Sequence, residues 1–310
     1  MRILITGASG LLGSNVALQL AGEHTVFGVS NRCALQTHRF TVIQTDLLAP
    51  GAVESVLERT QPDWVIHCAA LANLDACEAN PQLASQLNSE LPGKLANHVA
   101  RGGARLVHIS TDAVFDGVRG DYNEEDMPNP LSVYARSKLE GERTVVEANP
   151  HAMIARVNLF GWSLTGNRSL AEFFFYNLIQ GNPMRGFTDV FVCPLLANDI
   201  AEILVLMLEK GLEGIYHVVS PSPISKYEFG VLIANRFGLD KNLIAPCSIN
   251  DAGLKAVRSP RLTLRSDKLT RALGVPPPTV YDGMERFYQL YCEGYPQYLR
   301  GLVKGEQPVG

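Results

Sequence analysis

Tyr134 and Lys138 stand four residues apart in a stretch with helical periodicity. A helix turns about 100° per residue, so positions i and i+4 share a face. An ammonium beside a phenol favours the phenolate and lowers the phenol's pKa. A tyrosine so placed exchanges a proton with a hydroxyl or a carbonyl. Taken alone, this spacing is common in solvated helices. Ser110-Thr111-Asp112 changes its weight, because it ends an apolar run, Leu106 to Ile109, that reads as a strand. A Thr111 hydroxyl at a strand's carboxyl end can donate to the same oxygen that Tyr134 serves. Thr111, Tyr134 and Lys138 together form a set for proton transfer at a carbonyl.

A second group of residues supplies a place for a reactant. Gly7-Ala8-Ser9-Gly10-Leu11-Leu12-Gly13 follows the apolar strand Arg2 to Thr6 and opens a helix over 11–20. Gly7 permits the tight turn, Gly10 lets backbone approach a pyrophosphate, and Gly13 lets helix and strand pack closely. The first N–H groups of the helix then face an anion. Ser9, Leu11 and Leu12 complete the turn. A dinucleotide is the expected ligand, with Lys138 also placed for its nicotinamide ribose. The second strand ends at Val29-Ser30-Asn31-Arg32 without the acidic residue that binds a ribose 2′-hydroxyl. Ser30, Asn31 and Arg32 suit a 2′-phosphate, so NADP is preferred over NAD. The bland alternative for Arg32 is a solvated loop cation.

These residues need elements to hold them. Strands are expected at 2–6, 24–29, 40–44, 64–68, 106–109 and 152–157. Helices are expected at 11–20, 51–59, 82–101 and 132–147. Alternating strands and helices imply right-handed crossovers and a parallel, doubly wound α/β Rossmann sheet, with ligands beyond the strands' carboxyl ends. Residues 1–160 are expected to form the dinucleotide-binding domain. Residues 161–310 are expected to form mainly a smaller C-terminal substrate-binding lobe, with segments at about 190–220 returning to the main sheet. In that half, helices are expected at 169–180, 198–210 and 226–237, and strands at 214–219 and within 260–266.

Composition narrows the class. The chain has 310 residues, 46% hydrophobic and 19% charged, and its net charge is -4. That composition is globular and lacks the basic surplus of a nucleic-acid binder. No signal peptide and no membrane span are read, so a cytoplasmic protein is expected. The six cysteines form no CxxC pair and the seven histidines no HExxH. Reduced thiols and no metal site are expected. His67 and His108 fall within strands and read as packed core histidines. Asp112 and Asp116 read as turn residues.

The GxxGxxG spacing of Gly7, Gly10 and Gly13 resembles the extended short-chain dehydrogenase/reductases. Ser110-Thr111-Asp112-Ala113-Val114-Phe115-Asp116-Gly117, Glu124-Glu125-Asp126, and Val133-Tyr134-Ala135-Arg136-Ser137-Lys138-Leu139-Glu140-Gly141-Glu142 resemble the dTDP-4-dehydrorhamnose reductase family. Cys68-Ala69-Ala70-Leu71, Asp75-Ala76-Cys77-Glu78, Pro81 and Asn88 are similar to the same family. The resemblance implies hydride transfer from NADPH or NADH to a nucleotide-linked 4-keto-6-deoxy sugar. In it Tyr134 protonates the carbonyl oxygen, Thr111 polarises it and Lys138 tunes Tyr134. It also implies that Asp46 and Leu47 contact the adenine, and that Cys68, Ala69 and Ala70 line the cofactor.

Asn158, Phe160 and Trp162 follow the sixth strand. They either border the sugar pocket or, in the case of the aromatics, belong to the core. Arg261 and Arg265 either hold a nucleotide diphosphate or are solvated. Two other functions share this fold. One is a sugar-nucleotide epimerase; a 4,6-dehydratase would need Thr-Asp-Glu, and the third position here is Ala113. The other is a non-catalytic regulatory subunit resembling that of methionine adenosyltransferase. A homodimer is the default assembly.

Overall fold

The structure is a computed structural model, and it describes residues 1–252 and 259–303. The far end of the expected C-terminal lobe, 304–310, lies outside the described residues.

Seven strands build the central sheet: β1 (Arg2–Thr6), β2 (Thr25–Ser30), β3 (Thr41–Gln44), β4 (Trp64–His67), β5 (Arg105–Thr111), β6 (Met153–Val157) and β7 (Gly214–Val218). Their spatial order is β3-β2-β1-β4-β5-β6-β7, and every pairing is parallel. Both faces of a parallel sheet are covered, which explains strands that are apolar throughout. In β1, Ile3 and Ile5 enter one core and Leu4 the other, and all three are buried. The alternation of strand side chains assigns them.

The helices Leu11–Leu20 and Ala197–Glu209 pack together on one face. The helices Ala52–Thr60, Leu91–Gly102 and Val133–Ala148 cover the other. The chain runs outward from β1 to β3 and then returns to place β4 on β1's other side. That reversal opens a crevice at the carboxyl ends of β1 and β4.

The remaining segments form a smaller lobe. Phe191–Val192 pairs with Ile224–Ser225 and Arg261–Leu262, and Met184–Phe187 pairs with Ile244–Cys247. Helices Leu170–Ile179, Lys226–Phe237 and Val280–Cys292 pack around them. Among the described residues no helix is long and apolar enough to cross a membrane.

Some elements depart from the sequence reading. The long helix expected at 82–101 begins at Pro81 and contains a π-helical segment, Gln86–Glu90. Such a segment inserts one residue into a helix and often marks a functional place. The strand expected within 260–266 shrinks to Arg261–Leu262. Helix Val280–Cys292 lies where the sequence reading places no element. Its signal is the capping box of Thr279 and Asp282, followed by buried Val280, Met284 and Phe287.

Candidate active site

The glycine turn is built by steric exclusion. Gly7 sits at φ +68°, and a Cβ there would lie 2.7 Å from the Ala69 nitrogen. A Cβ on Gly13 would lie 2.2 Å from the Gly7 oxygen. Larger residues at either position would push the first helix away from β1 and β4. Gly10 is the helix N-cap and carries no side-chain cap. A Cβ there would meet only the Gly7 oxygen, at 3.2 Å, so its other side is open. Ser9 and Leu11 are half-buried in the turn, whereas Leu12 is buried against the core.

At the end of β2, Ser30 is buried and its Oγ has no hydrogen-bond partner. Asn31 and Arg32 follow it, exposed. A buried hydroxyl without a partner is costly, and a ribose or its phosphate would satisfy it. Asp46 is exposed and its Oδ1 accepts from the Leu48 N–H at 3.0 Å, while Leu47 is buried. Cys68 and Ala69 are half-buried and Ala70 is exposed, just beyond β4. The turn, Ser30 and Cys68–Ala70 thus frame the crevice where a dinucleotide would lie.

Thr111, Tyr134 and Lys138 come together at the carboxyl end of β5. Thr111 donates to Asp112 Oδ1 at 3.0 Å, and Asn158 Nδ2 donates to Asp112 Oδ2 at 2.5 Å. Tyr134 lies beside Thr111, near enough for that hydroxyl to lower its phenol. Thr111, Asp112 and Asn158 therefore form one polar chain, with Tyr134 beside it. Burial pushes the Asp112 carboxyl up to about 6, against the pull of Asn158, Thr111 and the charge of Lys226. Burial also pushes the Tyr134 phenol up to about 12; the Thr111 hydroxyl lowers it and the Asp112 charge raises it. This differs from the lowered phenol that the Tyr-Lys spacing predicts. Desolvation dominates, and Lys138 points elsewhere.

Lys138 is 2% exposed. Its Nζ donates to the Ile109 oxygen at 2.7 Å and lies 3.3 Å from His108 Nε2. Burial pulls it down to about 8, while the Glu142 carboxylate raises it. The helix carrying it, Val133–Ala148, starts at Ser132, whose side chain accepts from the Ala135 N–H. Glu78 Oε1 accepts from the Val133 N–H at 2.8 Å. Gly141 lets this helix press on the π segment, since a Cβ there would lie 2.0 Å from the Asn88 oxygen. Asn88 bonds both backbone groups of Leu71 and donates to Ser137 Oγ at 2.9 Å. It ties the loop after β4 to the helix that carries Tyr134 and Lys138.

Residues that the sequence reading left without a role lie behind the site. Glu142 receives Arg156 through both oxygens, at 2.9 and 2.7 Å, and Ser110 Oγ at 2.5 Å. Arg156 Nη1 lies 3.5 Å from His217 Nε2. The signal for Glu142 is its place four residues after Lys138. Nothing in the local sequence marks Arg156 as its partner.

Of the alternatives left open for the aromatics, the packing favours the core. Phe160 and Trp162 do not border a pocket. Trp162 is fully buried, stacks on Phe287 at 3.9 Å, and donates Nε1 to the Phe287 oxygen at 3.0 Å. Phe160 packs edge-on against Phe229 and Phe287. These aromatic faces fill the core between the lobes. Only Asn158 of the three reaches the polar chain. Arg265 pairs with Asp267 at the surface, and Arg261 lies over the Phe191 ring, 5.9 Å from its centre.

Known proteins resemble this chain over most of its length. The family described as the RmlD substrate binding domain matches residues 1–292. A probable low-salt glycan biosynthesis reductase of Haloferax volcanii is 34% identical over 92% of this chain and 96% of its own. Methionine adenosyltransferase 2 subunit beta of Bos taurus is 34% identical over 84% of this chain and 78% of its own. The structure of a dTDP-4-dehydrorhamnose reductase from Bacillus anthracis, in complex with NADP, superposes with a TM-score of 0.80 at 27% identity. It covers 93% of this chain and 98% of that one.

Proposed function

We propose, on the premise that the chain belongs to the RmlD substrate binding domain family, that it is a nicotinamide-dependent oxidoreductase of the short-chain dehydrogenase type. Its substrate is a nucleotide-linked 4-keto-6-deoxy sugar, reduced at the keto carbon. The observation that carries this reading is Tyr134 beside the hydrogen-bonded Thr111 and Asp112 at the end of β5, with Lys138 buried nearby.

Gly7, Gly10 and Gly13 would hold the pyrophosphate of NADP or NAD. Ser30, Asn31 and Arg32 would hold the adenosine ribose and its phosphate, and Lys138 the nicotinamide ribose. The bound nicotinamide supplies the hydride. Tyr134 gives its proton to the carbonyl oxygen, and a phenol near 12 is fully protonated and ready to donate at neutral pH. Thr111 orients Tyr134 and shares the developing charge. Asp112 and Asn158 fix the rotamer of Thr111. The same reading takes the protein as a cytoplasmic homodimer.

The test is an assay of the full chain with a dTDP-linked 4-keto-6-deoxy sugar, run with NADPH and with NADH. We expect saturable consumption of NADPH in step with alcohol formation. Arg32→Ala should weaken NADPH about 10- to 100-fold and leave NADH nearly unchanged, because it removes one charge-assisted contact. If the protein binds neither cofactor, the reading fails. A second reading is favoured by the 34% identity to the Bos taurus adenosyltransferase subunit: a cofactor-binding subunit of a larger assembly. Cofactor binding without turnover across a panel of nucleotide sugars would select it.

A further inference from the structure

Lys138 carries its charge into a nearly closed pocket, and the identity of its acceptors is unusual. Among the described residues it makes no salt bridge. The carboxylate whose charge acts on it, Glu142, is one turn away and already engaged by Arg156 and Ser110. The two acceptors within reach of Nζ are the Ile109 oxygen and His108 Nε2. An ammonium has only donors, so His108 must accept through Nε2 and carry its hydrogen on Nδ1. His108 is fully buried, and its Nδ1 finds no partner.

We propose that His108 is a positioning residue for Lys138: a permanently neutral imidazole that accepts a hydrogen bond from the ammonium and keeps it protonated. The inference rests on the reading of Lys138 as part of an oxidoreductase site. Other groups facing the pair do not substitute for it. His67, on β4, stacks on His108 with ring centres 5.4 Å apart, and its Nδ1 is taken by Thr6 Oγ1 at 2.7 Å. Burial and the Lys138 charge hold both histidines far below their usual range. Cys68, beyond β4, is a neutral thiol pushed up to about 12 by burial. Tyr134 is a neutral phenol on Lys138's own helix. From the neighbouring short helix, Cys77 donates to the Leu71 oxygen and Glu78 caps the start of the catalytic helix. Among the described residues Glu142 is the anion that acts on Lys138, and it is shared with Arg156. A protonated His108 would repel Lys138, so the device works because burial keeps the ring neutral.

The experiment reads Lys138 directly. The full chain is prepared with lysine isotope-labelled at Cε, and its NMR titration is followed with pH. Lys138→Met assigns the resonance. Wild type should titrate near 8. His108→Phe removes the acceptor and should move that midpoint down by about one pH unit. His108→Gln offers an amide oxygen and should restore most of the lost ground. His67→Gln, equally buried but not bonded to Lys138, should leave the midpoint in place. If phenylalanine overpacks the site, His108→Leu serves the same purpose. A His108→Phe or His108→Leu titration that coincides with wild type overturns the proposal, as does an equal displacement in His67→Gln. The alkaline limb of kcat should follow the same order among the variants. Because the titration needs no substrate, a wild type that turns nothing over sinks the reductase reading while the role of His108 is still decided by the midpoints.

Discussion

Ser110 and Thr111 are neighbours on one strand, yet they serve two different regions. Alternation sends them to opposite faces of the sheet. Ser110 joins Glu142, Arg156 and His217 behind the site; Thr111 joins Tyr134, Asp112 and Asn158 at its mouth. Each region buries a carboxylate. Glu142 is met by a guanidinium in fork geometry, with Ser110 on one oxygen. Asp112 is met by an amide and a hydroxyl, with Lys226 acting through its charge. The first arrangement satisfies the charge and fixes the frame. The second leaves the charge under-compensated, so a proton can come and go near neutral pH. A carboxylate's partners, more than its burial, decide whether it holds structure or takes part in chemistry.

That contrast predicts opposite phenotypes. Tyr134→Phe should lower kcat by about 10²–10⁴-fold, the usual worth of a positioned proton donor. Its unfolding free energy should fall by only about 1 kcal/mol, for one hydrogen bond. Glu142→Gln should do the reverse. It leaves Arg156, 2% exposed, as a buried charge without a counter-ion, which costs about 3–5 kcal/mol. Urea unfolding of both variants, beside their kcat, decides the matter. A Glu142→Gln protein as stable as wild type would mean that the ion pair does not hold the frame.

The sequence showed one of these regions more clearly than the other. Tyr134 and Lys138 are separated by one helical turn, and the glycines by a few residues of turn. Local geometry alone restricts them, so they can be read without a fold. Glu142 carries the same one-turn signal from Lys138, but Arg156 reaches it from another strand. The buried state of Asp112 depends on Asn158, also beyond local reach. Trp162 and Phe160 show the limit most plainly. Aromatics following a sheet strand suit a pocket wall and a core equally. What decides is helix Val280–Cys292, whose Phe287 stacks on Trp162 from 125 positions away in the chain. Long-range packing leaves no periodic mark on the segment it buries.

Asp112 offers the smallest effect and the sharpest sign. Its folded carboxyl stands near 6, above its ordinary value of 3.8. Between those values the native state binds the proton more readily than the unfolded chain. The Asp112 contribution to stability is therefore full below about 4 and is lost as pH rises through about 6. The buried histidines His67, His108 and His217 are lowered, so they run the other way and lose stability as acid is added. Subtracting the Asp112→Asn variant from wild type removes their shared contribution. The difference in unfolding free energy should then fall by about 2–3 kcal/mol between pH 4 and pH 7, since each pH unit between the folded and unfolded values is worth about 1.4 kcal/mol. An acid inflection in kcat near 6 should vanish with the same substitution, leaving the alkaline limb that Lys138 sets. A flat difference curve would mean that Asp112 is as well compensated by its partners as Glu142 is by Arg156, and the contrast between the two regions would fall with it.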